Sequence, residues 1–268
     1  ARSAVEMALL DLSARLAGIS VVALLGGRAC PVSVLRIIPV KPPEAMARLA
    51  GALVAEGYRA LKLKATGALG ADLARVAAVR SAVGPEVALI VDANQSYDVA
   101  GSVSLEVGLR ALGVWSLEQP VPARDRAALG QVRDGAEVRI EADEGLFCLS
   151  DVDAVAGAAD GISLKLARSG GLLPSLAMAR AARDAGQYAR IGTAFGGPLV
   201  TLATATLAAL HPCTGAAECA EFLHFDDHDH AWPEVRDGLL HLPEGPGFGQ
   251  TATRAWSALW QDGHDPSP

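Results

Sequence analysis

Apolar residues recur at helical spacing across residues 3–17, where Val5, Leu9, Leu12 and Leu16 fall on one stripe, and Gly18 ends the run. Leu24-Leu25-Gly26-Gly27 then reads as a turn. From there short β-rich apolar runs alternate with helical periods. The pattern predicts strands over Val32–Val40, Ala60–Lys64, Val87–Asn94, Val114–Glu118, Glu137–Asp143, Gly161–Leu166, Tyr188–Thr193 and Ala217–Phe222. The intervening helices are predicted over 44–56, Leu69–Val83, Val99–Leu112, Arg126–Arg133, near Asp151–Val155, and over Leu173–Ala185 and Leu199–Leu210. Strand–helix alternation of this kind marks a parallel sheet with crossover helices. At 268 residues the chain has the length of one α/β barrel of the TIM type, which needs about 250. The expected organisation is a lead-in helix and turn (1–30), a barrel (31–230) and a C-terminal tail without a further β/α unit (231–268).

The second to sixth strands end in charge. Lys64, Asp92, Glu118, Asp143 and Lys165 follow one another at 28, 26, 25 and 22 residues, close to the about 31 residues of one β/α unit in an eight-fold barrel. Alternation along a strand sends successive side chains to opposite faces. Lys62 shares a face with Lys64, Asp92 with Asn94, Ser116 with Glu118, Glu141 with Asp143, and Ser163 with Lys165, while the apolar partners fall on the helix side. Charged residues at the C-terminal ends of barrel strands stand where barrel chemistry is done.

Asp92, Glu118 and Asp143 end neighbouring strands, so their carboxylates repel unless a cation lies between them. Hard oxygen ligands point to Mg²⁺, with Mn²⁺ as the alternative. Lys64 and Lys165 lie on opposite strands of the ring and face each other across the substrate. Such an arrangement suits removal of the proton next to a carboxylate, because divalent charge stabilises the resulting enediolate. A free lysine, near 10.4, is too basic for the task at neutral pH; Lys62 beside Lys64 and the nearby cation lower that value. Glu141, one layer below Asp143, is the expected partner of Lys62.

Composition narrows the field. Half the residues are hydrophobic and a fifth charged, so the chain is globular. A net charge of −7 without a basic run excludes a nucleic-acid surface, and no apolar run is long enough for a bilayer. The four cysteines form no disulfide framework, and a cytoplasmic, reduced protein is expected. His211, Cys213, Cys219, His224, His228 and His230 fit no zinc spacing and read as a solvated loop. Gly245-Pro246-Gly247-Phe248-Gly249 lacks the flanking strand and helix of a nucleotide loop and reads as a turn. Trp115 is expected on the helix side in the core, Trp256 and Trp260 in the tail, and Glu221 within reach of a substrate ammonium. Lys165 alone would also serve a Schiff-base barrel, but that leaves the carboxylates unexplained.

Lys62-Leu63-Lys64, Asp92-Ala93-Asn94, Glu118-Gln119-Pro120, Asp143-Glu144 and Lys165 through Arg168-Ser169-Gly170-Gly171 resemble, in that order, the muconate-cycloisomerase (mandelate racemase) subgroup of the enolase superfamily. Ser3-Ala4-Val5-Glu6 through Leu25-Gly26-Gly27 and Pro243 through Gly249 resemble its flanking segments. The resemblance implies a (β/α)₇β barrel, Mg²⁺ on Asp92, Glu118 and Asp143, and Lys64 and Lys165 as the acid/base pair. Lys62, Asn94, Glu144 and Arg168 support them. It implies a small carboxylate substrate, racemised or epimerised; cycloisomerisation or dehydration would use the same parts, and a non-catalytic barrel is the rival reading. Family members open with an α+β capping domain that this sequence, as given, does not include, and the tail normally packs on it. Many relatives carry an acid where this chain has Gly196. A homo-oligomer is expected.

Overall fold

The structure is a computed structural model that describes residues 1–193, 196–210, 215–224 and 233–249. Its first strand is cut in two: β1 (Val32–Ser33) joins a small antiparallel sheet, and after Val34 the chain enters the barrel as β2 (Leu35–Ile38). β3 (Ala60–Lys64), β4 (Ala88–Asp92), β5 (Ser116–Glu118), β6 (Arg139–Ala142), β7 (Gly161–Leu164) and β8 (Tyr188–Ile191) follow, all parallel and hydrogen-bonded in chain order. Ala217 and Glu218 fill the eighth position. Leu35 N–H donates to Ala217 O at 2.8 Å and Ala217 N–H to Ser33 O at 2.9 Å, while Glu218 N–H donates to Ile191 O at 3.0 Å. The ring is thus closed by a single bridge at Val34 and Ala217 followed by a 3₁₀ turn over Glu221–His224, not by the full strand to Phe222 that the sequence predicts.

Outward residues Leu61, Leu63, Leu89, Leu117, Ile140 and Leu164 are fully or almost fully buried beneath the helices and belong to one continuous core. Inside the ring a separate cluster of Leu35, Ala60 and Ile90 makes the floor. Trp115 packs on that floor, in edge contact with Tyr188 at 4.8 Å between ring centroids, and so belongs to the inner cluster rather than to the helix side.

Helix α1 (Arg2–Leu16) forms as predicted, but its apolar stripe is turned to solvent: Val5, Leu9, Leu12 and Leu16 are 52–81% exposed, and Met7 and Ala14 are the buried side. Polar groups fix this orientation. The Glu6 carboxylate accepts from the N–H groups of Leu172 and Leu173, capping the helix Leu172–Asp184. Asp11 pairs with Arg15 and accepts from Phe248 N–H at 2.8 Å. The described part of the tail is packed on this region. Glu234–Arg236 and Leu239–His241 form a hairpin on β1, and Gly247 bridges to Ser20. Residues 211–214, 225–232 and 250–268, with His211, Cys213, His228, His230, Trp256 and Trp260, lie outside the described residues.

Two loops at the C-terminal face are tied together by Asp72, on the helix Leu69–Val83. Its carboxylate is 1% exposed and accepts from Thr66 and Gly67 N–H, Thr66 Oγ1, Arg75, and the Tyr97 hydroxyl at 2.5 Å. Burial alone would raise this carboxyl; hydrogen bonds from Tyr97, Thr66 and Arg75 outweigh it and hold it below its usual range. Tyr97→Phe removes one of these bonds to a charged acceptor and should cost about 1.5–3 kcal/mol in urea unfolding. A change within about 0.5 kcal/mol would show the hydroxyl to be dispensable.

Candidate active site

The mouth of the barrel is built from the last inward residue of each strand. Lys64 ends β3 and stands in register with Asp92 at the end of β4, which is in register with Glu118 at the end of β5. Asp143 and Lys165 each follow the last hydrogen-bonded residue of their strands, β6 and β7. Asn94 (φ 42°), Gln95 (φ 65°) and Gln119 (φ 37°) occupy the left-handed region just beyond β4 and β5, a conformation unusual for residues with a side chain. Those turns fold polar groups back on the site. Asn94 N–H donates to Asp92 Oδ1 at 2.9 Å, its amide to Glu144 Oε1 at 3.0 Å, and Gln119 Oε1 accepts from Asp143 N–H at 2.8 Å.

Lys64 Nζ donates to Asp92 Oδ2 at 2.6 Å and to Asn94 Oδ1 at 2.8 Å. Lys165 Nζ donates to Asp143 Oδ2 at 2.5 Å, and Arg168 bonds both the carboxylate of Asp143, at 2.8 Å, and its carbonyl. Both lysines line one cavity of about 620 Å³, together with Lys62, Thr193, Glu218 and Glu221. They reach it from β3 and from the end of β7, four strands apart in the ring. Gly192 makes room for the second lysine: a Cβ there would lie 2.6 Å from Ser163 Oγ and 3.2 Å from Lys165 Cε. Gly192→Ala should therefore push Lys165 aside. A shift of about 1 Å in a reacting group lowers kcat by about 10²-fold, with KM little changed, and steady-state kinetics on whichever substrate the exchange assay below selects would check it.

Two further side chains belong to this interior, Arg190 and Glu218, both 2% exposed or less. Arg190 Nη2 donates to Glu118 Oε2 and Glu141 Oε1, each at 2.6 Å, and Nη1 to Glu218 Oε1 at 2.7 Å. Lys62 Nζ lies 2.7 Å from Glu118 Oε2, 2.8 Å from Glu218 Oε1 and 3.0 Å from Asp92 Oδ2. Lys62 is therefore partnered by Glu218, Glu118 and Asp92. Glu141, its expected partner, is bound to Arg190 and to the Tyr188 hydroxyl.

The electrostatics of this interior are lopsided. Two sealed cations, Lys62 and Arg190, face four sealed carboxylates, Asp92, Glu118, Glu141 and Glu218, and the part-exposed Lys64 adds a third cation at Asp92. Burial lowers the Lys62 ammonium, but Glu118, Glu218 and Asp92 outweigh it and hold it well above its usual value, so it stays charged. The Glu118 carboxyl is pushed well up by burial, with Asp92 and Glu141 adding to the effect against Lys62 and Arg190. Burial also opposes ionisation of Asp92 and Glu218, yet Lys62 with Lys64, and Lys62 with Arg190, hold these two below their usual range.

The signs fix the pH response. Asp92, Glu218 and Asp72, lowered on folding, contribute stability above their unfolded values near 4 that is lost as pH falls through their folded ones. Glu118 has the opposite sign, its contribution being lost as pH rises. Acid unfolding followed by far-UV circular dichroism should therefore begin only below about pH 4.

Among the described residues, no three His, Cys, Asp or Glu side chains are gathered into a chelating group. Asp92, Glu118 and Asp143, expected to share a cation, are turned onto ammonium and guanidinium groups instead. The donor set still fits a hard divalent ion. All three are 0% exposed carboxylates, Asp92 and Glu118 stand side by side, and Glu118 Oε1 is sealed without any hydrogen-bond partner.

A parallel α/β barrel with opposed lysines and carboxylates on its strand ends defines the class, and comparison with known proteins places it further. Residues 45–256 match the model of the enolase C-terminal domain-like family, and the chain belongs to that family. It is 31% identical over 201 residues to the N-succinyl-L-Arg/Lys racemase of Bacillus cereus, covering 72% of this chain and 53% of the racemase. It is 33% identical over 261 residues to the L-Lys-D/L-Arg epimerase of Methylococcus capsulatus, covering 93% of this chain and 71% of that protein. The dipeptide epimerase of Enterococcus faecalis, solved with Mg and the dipeptide L-Leu-L-Tyr, superposes with a TM-score of 0.88 at 29% identity, over 92% of this chain and 72% of that one. Cycloisomerases of muconate and chloromuconate are also relatives. The chain thus spans about half the length of the racemase it matches. No helix among the described residues is long and apolar enough to cross a membrane.

Proposed function

We propose that the chain is the barrel of an Mg²⁺-dependent racemase or epimerase acting on the carbon next to a carboxylate. The observation that carries this is the pair Lys64 and Lys165, reaching one cavity from strands on opposite sides of the ring. One lysine removes the α-proton from one face, and the other returns a proton to the opposite face, inverting the centre. Asp92, Glu118 and Asp143 would hold the Mg²⁺, whose charge stabilises the enediolate left by proton removal. Arg168 and Asn94 keep Lys165 and Lys64 aimed by holding Asp143 and Asp92, the partners of those ammonium groups. Glu221, on the wall of the cavity, suits a substrate with an amino group or another hydrogen-bond donor. Together with the amino-acid racemases and dipeptide epimerases among its relatives, that wall points to a dipeptide or an N-acyl amino acid.

Exchange of the α-hydrogen in D₂O tests the reading, using dipeptides and N-acyl amino acids with Mg²⁺ and with chelator present. Exchange with inversion that chelator abolishes is expected; a net rearranged or dehydrated product would indicate cycloisomerisation or β-elimination. Absence of exchange across the panel would leave a non-catalytic barrel.

A further inference from the structure

The guanidinium of Arg190 is spent entirely inside the barrel, and its bonds are unevenly shared. Nε and Nη2 grip Glu141, Nη1 holds Glu218, and Nη2 also reaches Glu118 Oε2 and, at 3.3 Å, Ser163 Oγ. Lys62 meets the same Oε2 of Glu118 from the other side, 2.7 Å away. Oε2 thus has two charged donors, whereas Oε1 has none and is sealed from water. A carboxylate held this way cannot rotate to exchange its oxygens without breaking two charge-assisted bonds. The geometry points to Arg190 as a positioning residue: with Lys62 it clamps one oxygen of Glu118 so that the other is kept free for a divalent cation. The inference rests on the reading above that Glu118 is a metal ligand. Groups that orient a metal-binding carboxylate from behind typically change metal affinity by about 10–100-fold.

Glu141 gives the means to separate this role from simple packing. It is the most fully engaged partner of Arg190, and replacing a buried ion pair by apolar side chains of similar volume is often neutral for stability. The double variant Glu141→Met/Arg190→Met therefore removes the clamp without stranding Glu141, and Arg190→Lys keeps the charge but loses the fork that spans Glu118, Glu141 and Glu218. Mn²⁺ binding to the metal-free protein, read by electron paramagnetic resonance, is compared with thermal melting for wild type, both variants and Glu118→Gln.

Folded variants are expected to bind Mn²⁺ about 10–100-fold more weakly than wild type. If either folded variant binds within twofold of wild type, the positioning role is overturned. If neither variant folds, Arg190 serves the fold alone, and the role is likewise overturned. Should wild type bind no Mn²⁺, or Glu118→Gln bind as well as wild type, it is the metal reading itself that fails. Weak binding by Glu118→Gln beside normal binding by the Arg190 variants removes only the present inference.

Discussion

Replacing Lys64 or Lys165 by Ala should each remove inversion of the substrate, lowering kcat by about 10²–10⁴-fold or more, since a positioned proton-transfer group is worth that much. The two losses should not look alike. With a single lysine left, a proton can still be taken from, and returned to, one face. Each variant should therefore retain deuterium exchange into one enantiomer of the substrate and lose it from the other, with opposite preferences in Lys64→Ala and Lys165→Ala. Metal affinity should be nearly unchanged in both. Lys64 and Lys165 are bonded to Asp92 and Asp143, the residues proposed to hold the ion. An ammonium there competes with the cation for the same oxygens, so removing it does not weaken binding. Nuclear magnetic resonance of each enantiomer in D₂O, with Mn²⁺ titration alongside, checks both halves. A variant that inverts at the wild-type rate would end the two-base reading.

How much of this was open to the sequence depends on which signal is followed. Strand–helix alternation gave the order of the elements correctly, because each parallel strand is covered by helices and must read as a short apolar run. Period-two alternation placed Lys62, Lys64, Asp92, Glu118, Glu141 and Ser163 inside the ring, where they are found. The same alternation continued into β8 puts Tyr188 and Arg190 inside as well, and Glu218 follows the bridge that closes the ring. Strand ends were read long, as with Asn94, Asp143 and Leu166, because the catalytic-face residues keep the apolar context while leaving the hydrogen-bonded ladder. The pairing of Lys62 with Glu218 rather than Glu141 could not be read at all, since it depends on Arg190 taking Glu141 first. In α1 the stripe of Val5, Leu9, Leu12 and Leu16 was visible, but periodicity shows only that a face is apolar. Which face meets the barrel was decided by Glu6, Asp11 and Arg15, through contacts with residues more than a hundred positions away.

Lys62→Met should be among the most destabilising single changes in the chain, by about 3–5 kcal/mol without added metal, the range for removing one partner from a sealed ion pair. Three carboxylates share this ammonium, and what remains to balance them is Arg190, itself divided among Glu118, Glu141 and Glu218, with the part-exposed Lys64 on Asp92 alone. Methionine fills the volume, so the loss measures charge and not a cavity. A bound divalent cation would supply the missing positive charge beside Asp92 and Glu118. Lys62 is also half of the hold on Glu118 Oε2, so its loss should weaken that binding. A given Mg²⁺ concentration should therefore stabilise Lys62→Met by less than it stabilises wild type, the shortfall levelling off once both are saturated. Urea unfolding of both proteins, with Mg²⁺ and with chelator, gives the four free energies. A loss below about 1 kcal/mol in chelator would mean that the acids around Lys62 discharge by taking up protons, with Glu118, already pushed upward, the first to do so.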